Sequence, residues 1–565
     1  MIYGTAGGLS TVAFILCVNT GFQVVWSWIT QAGTLWFLGT SLIVIVVSSL
    51  LAGMLVSWFS PEAAGSGIPQ LKVAYWKDLG DVPMRAVLVK FIGGSIALIG
   101  GASLGREGPT VFFAGGLSSK IAGWLGIPQQ RRRHAAASGA AAGLSAAFNT
   151  PLAAIAFVLE EILGDMNNRL LGSVVLAAVA GAFVIYWFLG SQPSFYMPAV
   201  NSPTWNMYLF VPFAAALGSL FGVLFQRGTL DVRMKTRQWK RIPAWTRPLF
   251  GGLVTWFIGC LVYLAVHRYD AALGIGNGTA SDPMRGLGVF GLGYGDLSVA
   301  LKDGIGWKIA GILAVTKLVA TIYSYGTGGC GGIFSPTLFI GAMCGFFVAG
   351  LAQHSVHLSE SDVLVLAATG MSACLGAVVR APFTGILIIF EMTHQFGMVP
   401  ALMLGTLVSQ FMARLAGKVN FYEAILEQDG HEIHRIVPPR DLSAWRNIPV
   451  SAIAGTKPVP ITSLAPDALK AALAKHAYRC FPVIIDGVLR GVVTRADIEH
   501  ALALGHEPAM EAPVVCRADQ SLQDVEPLMI ESAAGLFLVV ETAGGAVTGV
   551  FTLHDLLRVQ AALLE

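Results

Sequence analysis

The sequence Gly105-Arg-Glu-Gly-Pro-Thr110 returns later in the chain as Gly332-Ile-Phe-Ser-Pro-Thr337. Downstream, residues 139–160 align without gaps on residues 370–391, with seven identities, and both segments end in glutamate. Glycine followed by proline is typical of a helix start, where the first N–H groups are unpaired and the helix dipole is positive. Repeated Gly/Pro-interrupted helices at matching positions are typical of membrane transporters whose site lies between the two halves. The sequence alone leaves the relative orientation of the repeats open, and we expect them to be inverted.

The composition places most of the chain in a bilayer. Of its 565 residues, 55% are hydrophobic and only 12% are charged, whereas a soluble domain carries about 25% charged residues. Uncharged stretches that approach or reach the roughly 20 residues of a membrane span occur at 34–59, 170–186, 249–266 and 363–379. We predict an α-helical polytopic membrane protein with two related repeats of tilted and broken helices, at about 1–190 and 207–425. The start of the chain has no basic region typical of a removable signal peptide.

The charges orient the chain and exclude some partners. A net charge of +3 is too small to suggest nucleic acid. Residues 227–247 hold seven lysines and arginines, so by the positive-inside rule we expect this loop in the cytoplasm. A solvated loop with no orienting role is the alternative. The seven cysteines are scattered, odd in number and without a CxxC pair, so we predict neither a disulfide framework nor a metal site.

The tail from about residue 427 is polar and repeats a plan of its own. Residues 481–497 read as strand, turn, strand and helix start, and residues 536–555 repeat that plan. We therefore expect a small α/β domain, with a membrane domain at 1–425, a linker at 426–446 and two copies at 447–505 and 506–565. In both copies a Thr-x-x-Asp sequence, typical of a helix cap, follows the second strand; the residues are Thr494, Asp497, Thr552 and Asp555.

One motif is a decoy. Gly286-Leu-Gly-Val-Phe-Gly291 fits the dinucleotide pattern GxGxxG. It lacks the strand and the βαβ context which that pattern requires. We interpret it as a cluster of loop glycines.

An ionisable residue at membrane depth costs about 2.5–3.5 kcal/mol, so Glu107 is a functional candidate. Three further elements offer neutral donors: the Ser66 hydroxyl in Gly65-Ser-Gly-Ile-Pro69, the backbone N–H groups of Ile333 and Phe334, and the phenol of Tyr422. Neutral donors and positive helix ends suit a partly dehydrated anion, which a full positive charge would hold too tightly to release.

These four elements, in this order and spacing, resemble the CLC family of chloride channels and chloride/proton antiporters. The resemblance covers residues 1 to about 425, and the tail resembles the pair of CBS domains that many members carry on the cytoplasmic side. Three departures stand out. Gln70 replaces a common glutamate, an initial cytoplasmic helix is expected to be absent, and Tyr422 rather than Phe421 is taken by inference as the tyrosine of the motif.

The resemblance implies a role for each matching residue. Glu107 would be the gating glutamate, whose carboxylate competes with chloride. Arg106 and Lys90 would raise the local positive potential, unless they snorkel to an interface or pair structurally. The chloride shell would consist of Ser66, Ile333, Phe334 and Tyr422.

Glu161 distinguishes antiporter from channel. It matches the internal proton-transfer position of the antiporters, where channels typically have an apolar residue. In the internal repeat Glu160 aligns with Glu391, which indicates a structural pair, whereas Glu161 aligns with Met392. The alternative for Glu161 is an exposed carboxylate at a helix end.

The resemblance thus implies a homodimer in the cell (inner) membrane that exchanges chloride for protons, with cytoplasmic CBS domains. The resemblance also implies a preference for chloride over nitrate or fluoride, because nitrate- and fluoride-preferring members of the family tend to lack serine at the position of Ser66. No cofactor is expected beyond an adenine nucleotide at the CBS pair, where Thr494, Asp497, Thr552 and Asp555 would be contacts or purely structural caps. The alternatives are a gated chloride channel without proton coupling and, ranked lower, a divalent-cation transporter with CBS domains. An enzyme is not expected, because the sequence has no HExxH motif and no nucleophile–base pair.

Overall fold

The computed structural model describes the chain except residues 32, 165, 167–169, 191–194, 196, 201–203, 274–285, 418, 432–448, 456–458, 532–534, 541–546, 553 and 557–565. The described residues form two compact units, which divide the chain after His434. The predicted linker at 426–446 begins inside the last helix of the first unit, and from residue 432 it lies outside the described residues.

The first unit is helical. Its α-helices within the described residues are α1 (Ile2–Thr30), α2 (Thr34–Phe59), α3 (Ile68–Trp76), α4 (Met84–Ile99), α5 (Glu107–Trp124), α6 (Gln129–Phe148), α7 (Pro151–Phe157), α8 (Leu171–Leu189), α9 (Trp205–Tyr208), α10 (Val211–Arg237), α11 (Arg247–Leu273), α12 (Tyr294–Asp303), α13 (Trp307–Gly326), α14 (Phe334–Ala352), α15 (Glu360–Val379), α16 (Pro382–Thr393), α17 (Val399–Ala416) and α18 (Phe421–Gln428). Short 3₁₀ turns lie at Pro61–Ala63, Ala244–Thr246 and Phe396–Met398, and a π-helical turn at Val158–Leu163 extends α7. In the described part of the chain, nine helical stretches are long and apolar enough to cross a membrane. The prediction of a polytopic membrane protein is confirmed.

The two predicted repeats are present and inverted. The repeated six-residue sequence at 105–110 and 332–337 is called the gate motif below. Helices α5 and α14 begin at matching residues of its two copies, and α6 and α15 begin at matching positions in the register of the second aligned block. Gly105 and Gly332 occupy the same position in the two copies and exchange both backbone hydrogen bonds, with N···O distances of 2.7 and 2.6 Å. Two equivalent residues can pair with each other in antiparallel only across a local two-fold axis. The chain therefore runs in opposite directions through the two copies at this point.

Burial separates helices inside the bundle from those at its surface. In α15, 94% of the residues of the most apolar stretch are buried, compared with 33% in α2. The exposed face of α2 is nevertheless apolar and includes Leu35, Ile43 and Trp58. A contiguous exposed apolar face of this kind requires an apolar solvent.

Glycines let α14 and α15 approach closely. A Cβ atom on Gly341 would lie 2.3 Å from the Gly370 carbonyl oxygen, and a Cβ on Gly370 would lie 2.1 Å from the Gly341 oxygen. In the first repeat, a Cβ on Gly139 in α6 would lie 2.5 Å from the Ala114 oxygen in α5. Small residues thus permit the same close packing in both repeats, as is usual between membrane helices.

The second unit contains the predicted strand–turn–strand–helix plan in the first copy and both predicted strands in the second copy, whose turn at 541–546 lies outside the described residues. Its elements are α19 (Pro466–Lys475), β1 (Cys480–Ile485), β2 (Val488–Thr494), α20 (Arg495–Leu504), β3 (Val514–Arg517), α21 (Leu522–Glu531), β4 (Leu536–Val540) and β5 (Val547–Thr552). Strands β1 and β2 are antiparallel; β3 is parallel to β4, and β4 is antiparallel to β5. The prediction of a small α/β tail is confirmed.

The two copies in the tail exchange edge segments. Gly455, ahead of the first sheet, shares two backbone hydrogen bonds with Val550 in β5 (2.7 and 3.0 Å), and Glu511, ahead of β3, does the same with Val492 in β2 (2.8 and 3.0 Å). Cys516 lies in the core of the second copy, where burial raises the pKa of its thiol to about 11. It is therefore a neutral, apolar-like side chain at neutral pH.

Two local predictions can be compared with the backbone. The sequence predicts a helix start at Pro109, but α5 begins two positions earlier, at Glu107, so that the glutamate is itself helical. The glycine cluster at 286–291 forms turns ahead of α12, as the loop interpretation predicts.

Candidate functional site

The Glu107 carboxylate lies where the two repeats meet. Glu107 is the first residue of α5, and its side chain is fully buried. Its Oε1 accepts hydrogen bonds from the hydroxyls of Tyr294 and Ser335, both at 2.6 Å, and Ser335 Oγ also lies 2.7 Å from Oε2. Arg106 Nε is 3.8 Å from Oε1. The carboxylate of the first repeat is thus held by hydroxyls of the second.

Arg106 stands between this carboxylate and a cavity. Its guanidinium donates to Asn19 Oδ1 at 3.0 Å and to the Ala147 oxygen at 3.4 Å, and it lies 5.2 Å from the centroid of the Tyr294 ring. Arg106, Asn19, Tyr294 and Asp296 line a cavity of about 750 Å³. The structure therefore places the charge of Arg106 beside Glu107 and at the edge of open space.

The Ser66 loop is in direct contact with the gate motif. Gly65 exchanges backbone hydrogen bonds of 3.0 Å with the glycine-rich segment ahead of α14. The Ser66 N–H donates to the Tyr325 hydroxyl at 3.2 Å, and the Ser66 hydroxyl accepts from the Ile68 N–H at 3.3 Å. A Cβ on Gly108, the residue after Glu107, would lie only 2.8 Å from the Ser66 Cβ. The Ser66 hydroxyl hydrogen remains free in direction to point at an anion.

Lys90 forms hydrogen bonds with the backbone of the Ser66 loop. It is fully buried in α4, and its ammonium donates to the carbonyl oxygens of Ala63 at 2.8 Å and Gly65 at 2.5 Å. The alternative that Lys90 snorkels to an interface is therefore wrong. Its positive charge is thus bound to the carbonyl of Gly65, the residue just before Ser66.

The second repeat contains a counterpart that the sequence reading missed. Lys317 has the same position relative to the second gate motif as Lys90 has to the first. It is fully buried in α13 and donates to the oxygens of Gly291 at 2.8 Å and Val289 at 3.3 Å. The loop Gly291-Leu-Gly293 matches Gly65-Ser-Gly67 and has leucine in place of the serine. Both copies of the final glycine have a positive φ, 79° and 90°, which favours glycine.

The missed residues had signals in the sequence. Lys317 is a lysine in an apolar helix, in register with the two copies of the gate motif, and Gly-x-Gly recurs at almost the same offset. Because Gly291 also completes the decoy motif, that match is easily overlooked. Tyr294 and Ser335 are missed because they reach Glu107 across 187 and 228 residues of sequence.

The predicted donors of the chloride shell are all fully buried. Ile333 and Phe334 are fully buried at the start of α14, where the first N–H groups have no partner inside the helix. The Phe334 ring lies 5.9 Å from the Phe148 ring and 5.4 Å from the Phe157 ring, measured between centroids. Tyr422 is fully buried in α18, and its hydroxyl has no hydrogen-bond partner among the described residues. A buried hydroxyl without a partner lowers the stability of the folded protein by about 1–3 kcal/mol, and a bound ligand would offset this loss.

Phe421 and Tyr422 have different surroundings. The Phe421 ring packs 5.4 Å from both Phe225 and Tyr325, so it belongs to the core. Tyr325 is also the residue that binds the Ser66 N–H. The Phe421 ring also lies 5.8 Å from the Tyr422 ring, measured between centroids, so a chain of aromatic contacts connects Tyr422 with the Ser66 loop. The choice of Tyr422 as hydroxyl donor stays a prediction that this packing favours.

Glu161 is buried and paired. It lies in the π-helical turn after α7 and is 2% exposed, so the alternative of an exposed carboxylate is wrong. Its Oε1 accepts from the Lys72 ammonium at 2.7 Å, and its Oε2 accepts from the Asn420 amide at 2.9 Å. Lys72 is also 3.5 Å from Glu423, whose side chain is 24% exposed. Lys72 therefore bridges a buried carboxylate and one that reaches the surface.

Glu160 and Glu391 are reciprocal helix caps. The Glu160 carboxylate accepts from two N–H groups at the start of α16 (3.1 and 2.9 Å), and the Glu391 carboxylate accepts from two N–H groups at the start of α7 (2.9 and 2.7 Å). A carboxylate at a helix N-terminus satisfies unpaired donors and the helix dipole. The structural interpretation of this pair is confirmed.

The tail residues form the predicted caps. The Thr494 hydroxyl donates to the Asp497 carboxylate and accepts from the Asp497 N–H at 3.2 Å. In the second copy, the Asp555 carboxylate accepts from the Thr552 hydroxyl at 2.7 Å and from the Thr552 N–H at 2.9 Å. These bonds account for a capping role, and the contact with a nucleotide stays a prediction.

Comparison with known proteins extends these findings. The family profile described as "Voltage gated chloride channel" matches residues 48–414, and that described as "CBS domain" matches residues 450–504 and 509–562. The H(+)/Cl(-) exchange transporter ClcA of Vibrio campbellii (strain ATCC BAA-1116) is 31% identical over 452 residues, which cover 76% of this chain and 88% of that protein. The protein of the same name from Yersinia pestis bv. Antiqua (strain Angola) is 31% identical over 392 residues, which cover 67% of this chain and 77% of that protein.

Solved structures agree with this assignment. A slow cyanobacterial Cl−/H+ antiporter superposes with a TM-score of 0.64 at 25% identity, over 77% of this chain and 97% of its own. A eukaryotic CLC transporter superposes with a TM-score of 0.60 at 21% identity, over 98% and 96% of the two chains, and so shares the fold of the tail as well. With a family profile that covers more than half of the sequence, the chain belongs to the CLC family of chloride channels and transporters, carries a C-terminal pair of CBS domains, and is a transport protein rather than an enzyme.

Proposed function

We propose that this protein exchanges chloride for protons across a membrane, with the Glu107 carboxylate and the anion competing for one site. The observation that carries the proposal is a pair of buried carboxylates, Glu107 and Glu161, in one helical unit with neutral donors for an anion. A proton that crosses an apolar protein needs titratable side chains along its way. The relatives named H(+)/Cl(-) exchange transporters support the same activity for this chain.

The anion would be bound by neutral donors. We infer that these are the hydroxyls of Ser66 and Tyr422 and the N–H groups of Ile333 and Phe334. The unpartnered hydroxyl of Tyr422 supports this shell. Lys90 adds positive potential at one remove, because its ammonium is bound to the carbonyls of the Ser66 loop. A dehydrated anion is then held by dipoles, and it is released more easily than from a direct ion pair.

Glu107 would act as the gate. Its carboxylate lies at the N-terminus of α5, beside the start of α14, so it occupies a region where the helix dipoles favour a negative charge. An anion has to displace this carboxylate before it can pass. Protonation removes the negative charge and with it most of the attraction, so proton binding and anion movement are coupled.

Protons would reach the interior through Glu161. Since Glu161 is 2% exposed, it needs a link to solvent, and Lys72 provides one by bridging it to the partly exposed Glu423. A proton passed from Glu423 to Lys72 while Lys72 gives one to Glu161 leaves the charge of the lysine unchanged. The proposed path therefore runs through three titratable groups, from Glu423 in α18 through Lys72 to Glu161.

The orientation follows from the basic loop. The prediction of a loop over the whole of 227–247 is wrong, because α10 continues to Arg237 and the first basic residues of that segment are helical. Arg233, near the end of α10, donates to the Asp429 carboxylate just after α18 at 2.8 Å. The chain thus leaves the first unit on the side of this loop. From the positive-inside rule we infer that this side faces the cytoplasm and that the CBS domains lie there. A homodimer in the cell (inner) membrane, and an adenine nucleotide at the CBS pair, complete the proposal on the strength of the family resemblance.

Flux measurements test the proposal. Purified full-length protein is reconstituted into vesicles, and chloride and proton movements are recorded together under an outward chloride gradient. We expect uphill proton movement by the wild type, and chloride flux without proton movement from Glu107→Gln and Glu161→Gln. The matched control is Glu360→Gln, since Glu360 is exposed at the start of α15, and we expect wild-type coupling from it.

Two outcomes would contradict the proposal. Chloride flux by the wild type without proton movement, and with a reversal potential that ignores a pH gradient, would identify the gated-channel alternative. Absence of chloride flux, with transport of a divalent cation instead, would place the protein in the other class of CBS-bearing transporters.

A further inference from the structure

Two hydroxyl groups meet the carboxylate of Glu107. The Tyr294 hydroxyl donates to Oε1 at 2.6 Å, and the Ser335 hydroxyl lies 2.6 Å from Oε1 and 2.7 Å from Oε2. The two hydroxyl oxygens are 2.9 Å apart. Both groups can donate to the carboxylate at the same time, because each has one hydrogen and the carboxylate has two acceptor oxygens. Hydrogen bonds of this length to an ionised acceptor are the stronger kind.

The matching positions of the first repeat have no hydroxyl. Ser335 aligns with Gly108 at the offset of the gate motif, and Tyr294 aligns with Ile68 at the offset of the Gly-x-Gly loops. The hydroxyl pair is therefore not a requirement of the repeated scaffold. It occurs only opposite Glu107, which is itself without a counterpart.

The position of Tyr294 is fixed by its surroundings. It is the first residue of α12, and the loop before it is bound by the buried ammonium of Lys317. Its ring packs edge-on to Phe195, 5.1 Å between centroids, and the Arg106 guanidinium lies over the ring at 5.2 Å. Ser335 is fully buried in the first turn of α14. The hydroxyls are thus presented by two helix starts rather than by mobile side chains.

We propose that Tyr294 and Ser335 form a hydroxyl clamp that holds the Glu107 carboxylate in its anion-excluding position and thereby slows the exchange cycle. This inference rests on the proposed function, since it concerns the hydrogen bonds that hold the proposed gating carboxylate. The carboxylate has to leave both hydroxyls before an anion can pass. Loss of one hydroxyl removes a charge-assisted hydrogen bond from the carboxylate, and we expect this loss to raise the rate of opening about tenfold.

The two clamp residues are positioning residues, because they act through Glu107. Their removal should accelerate transport, whereas damage to the structure would slow it. Since Glu107 and Glu161 remain, the ratio of chloride to protons should stay that of the wild type. Acceleration at constant coupling is therefore the signature of the clamp.

The test uses full-length protein in vesicles, with chloride and proton fluxes recorded together. We expect Tyr294→Phe and Ser335→Ala to exchange about tenfold faster than the wild type, the double variant faster still, and Ser335→Thr, which keeps a hydroxyl, at close to the wild-type rate. Matched controls are Tyr263→Phe, whose ring stacks on Phe37 at 3.9 Å, and Ser219→Ala, whose hydroxyl bonds within its own helix at 2.6 Å. Both should retain the wild-type rate.

A second measurement separates the clamp from general effects on folding. In the Glu107→Gln background the charged acceptor is gone, so Tyr294→Phe should change the chloride flux by less than about twofold. Wild-type rates for Tyr294→Phe and Ser335→Ala in a protein that does exchange would overturn the clamp and leave the proposed function intact. Slower exchange by Ser335→Ala and Ser335→Thr alike would also overturn it. Failure of the wild type to couple chloride to protons would instead refute the proposed function.

Discussion

The two repeats of the membrane unit share their supports and differ in the side chains where they meet. Each has a buried lysine bound to two loop carbonyls, and each has a glutamate that caps the broken helix of the other repeat. Matched pairs that differ include Ser66 and Leu292, Glu107 and Phe334, and Gly108 and Ser335. Groups present in both repeats hold the backbone. Groups present in only one repeat make the two sides of the membrane unit chemically different.

This division explains how an inverted repeat can have a direction. A scaffold with a two-fold axis offers the same environment to an ion from either side. The single carboxylate of Glu107 and the single buried pair of Glu161 with Lys72 remove that equivalence. The most informative experiments therefore exchange or remove one member of a matched pair and leave the other in place.

The reciprocal caps provide the largest expected effect. Glu391→Ala leaves two N–H groups at the start of α7 without their acceptor. At about 1–3 kcal/mol for each donor left unsatisfied, the loss of stability should be about 2–6 kcal/mol. Glu160→Ala should cost less, because Glu160 is partly exposed and water can replace it. Thermal unfolding of the purified protein would measure both.

The same variants test the difference between Glu160 and its neighbour. We expect Glu160→Ala to keep the wild-type chloride-to-proton ratio, whereas Glu161→Gln should lose coupling. Loss of proton coupling in Glu160→Ala, with an unchanged unfolding temperature, would show that the matched pair is more than a cap.

The buried lysines give the next effect. The Lys90 ammonium binds the carbonyl of the residue just before Ser66, whereas the residue after the carbonyl that Lys317 binds is a leucine, which has no hydroxyl. A unit charge about 8 Å from an anion contributes about 2 kcal/mol at an effective dielectric constant of about 20. In the Glu107→Gln background, Lys90→Met should therefore weaken chloride binding about 30-fold, and Lys317→Met less than about fivefold, as measured by isothermal titration calorimetry.

The control for the lysines is Lys120→Met. Lys120 pairs with Asp81 at 2.7 Å and is 24% exposed, away from the loops that bind the buried lysines. It should leave chloride affinity unchanged. Equal losses of affinity from Lys90→Met and Lys317→Met would mean that the two loops contribute alike to the anion site.

The sequence predicted the repeated helices of the molecule better than it predicted the contacts between distant residues. The aligned blocks at 139–160 and 370–391 give the starts of α7 and α16 at their prolines, and the uncharged stretch at 34–59 coincides with α2. Local patterns suffice there, because hydrophobic length and helix-start residues act over a few turns. The strands of the tail were predictable for the same reason.

The partners of the candidate residues could not be read from the sequence. Tyr294 and Ser335 reach Glu107, and Lys72 reaches Glu161, only because distant helix starts converge. The burial of Glu161 has the same origin, since a carboxylate that follows a short helix is exposed or buried according to what packs on it. Long-range packing, not local propensity, decides these contacts.

The tail repeats the comparison on a smaller scale, with the smallest expected effect. Its two copies keep the same cap, Thr494 with Asp497 and Thr552 with Asp555. Thr494→Ala and Thr552→Ala should each cost about 1 kcal/mol, the usual value for a lost N-cap. Limited proteolysis of the full-length protein would detect this as about fivefold faster cleavage of the tail, because cleavage follows the population of the opened form. Thr→Ser at either position keeps the hydroxyl and should restore the wild-type rate. If Thr494→Ala instead abolished adenine-nucleotide binding while cleavage stayed slow, the threonine would be a ligand contact, and the two copies would differ in chemistry as the membrane repeats do.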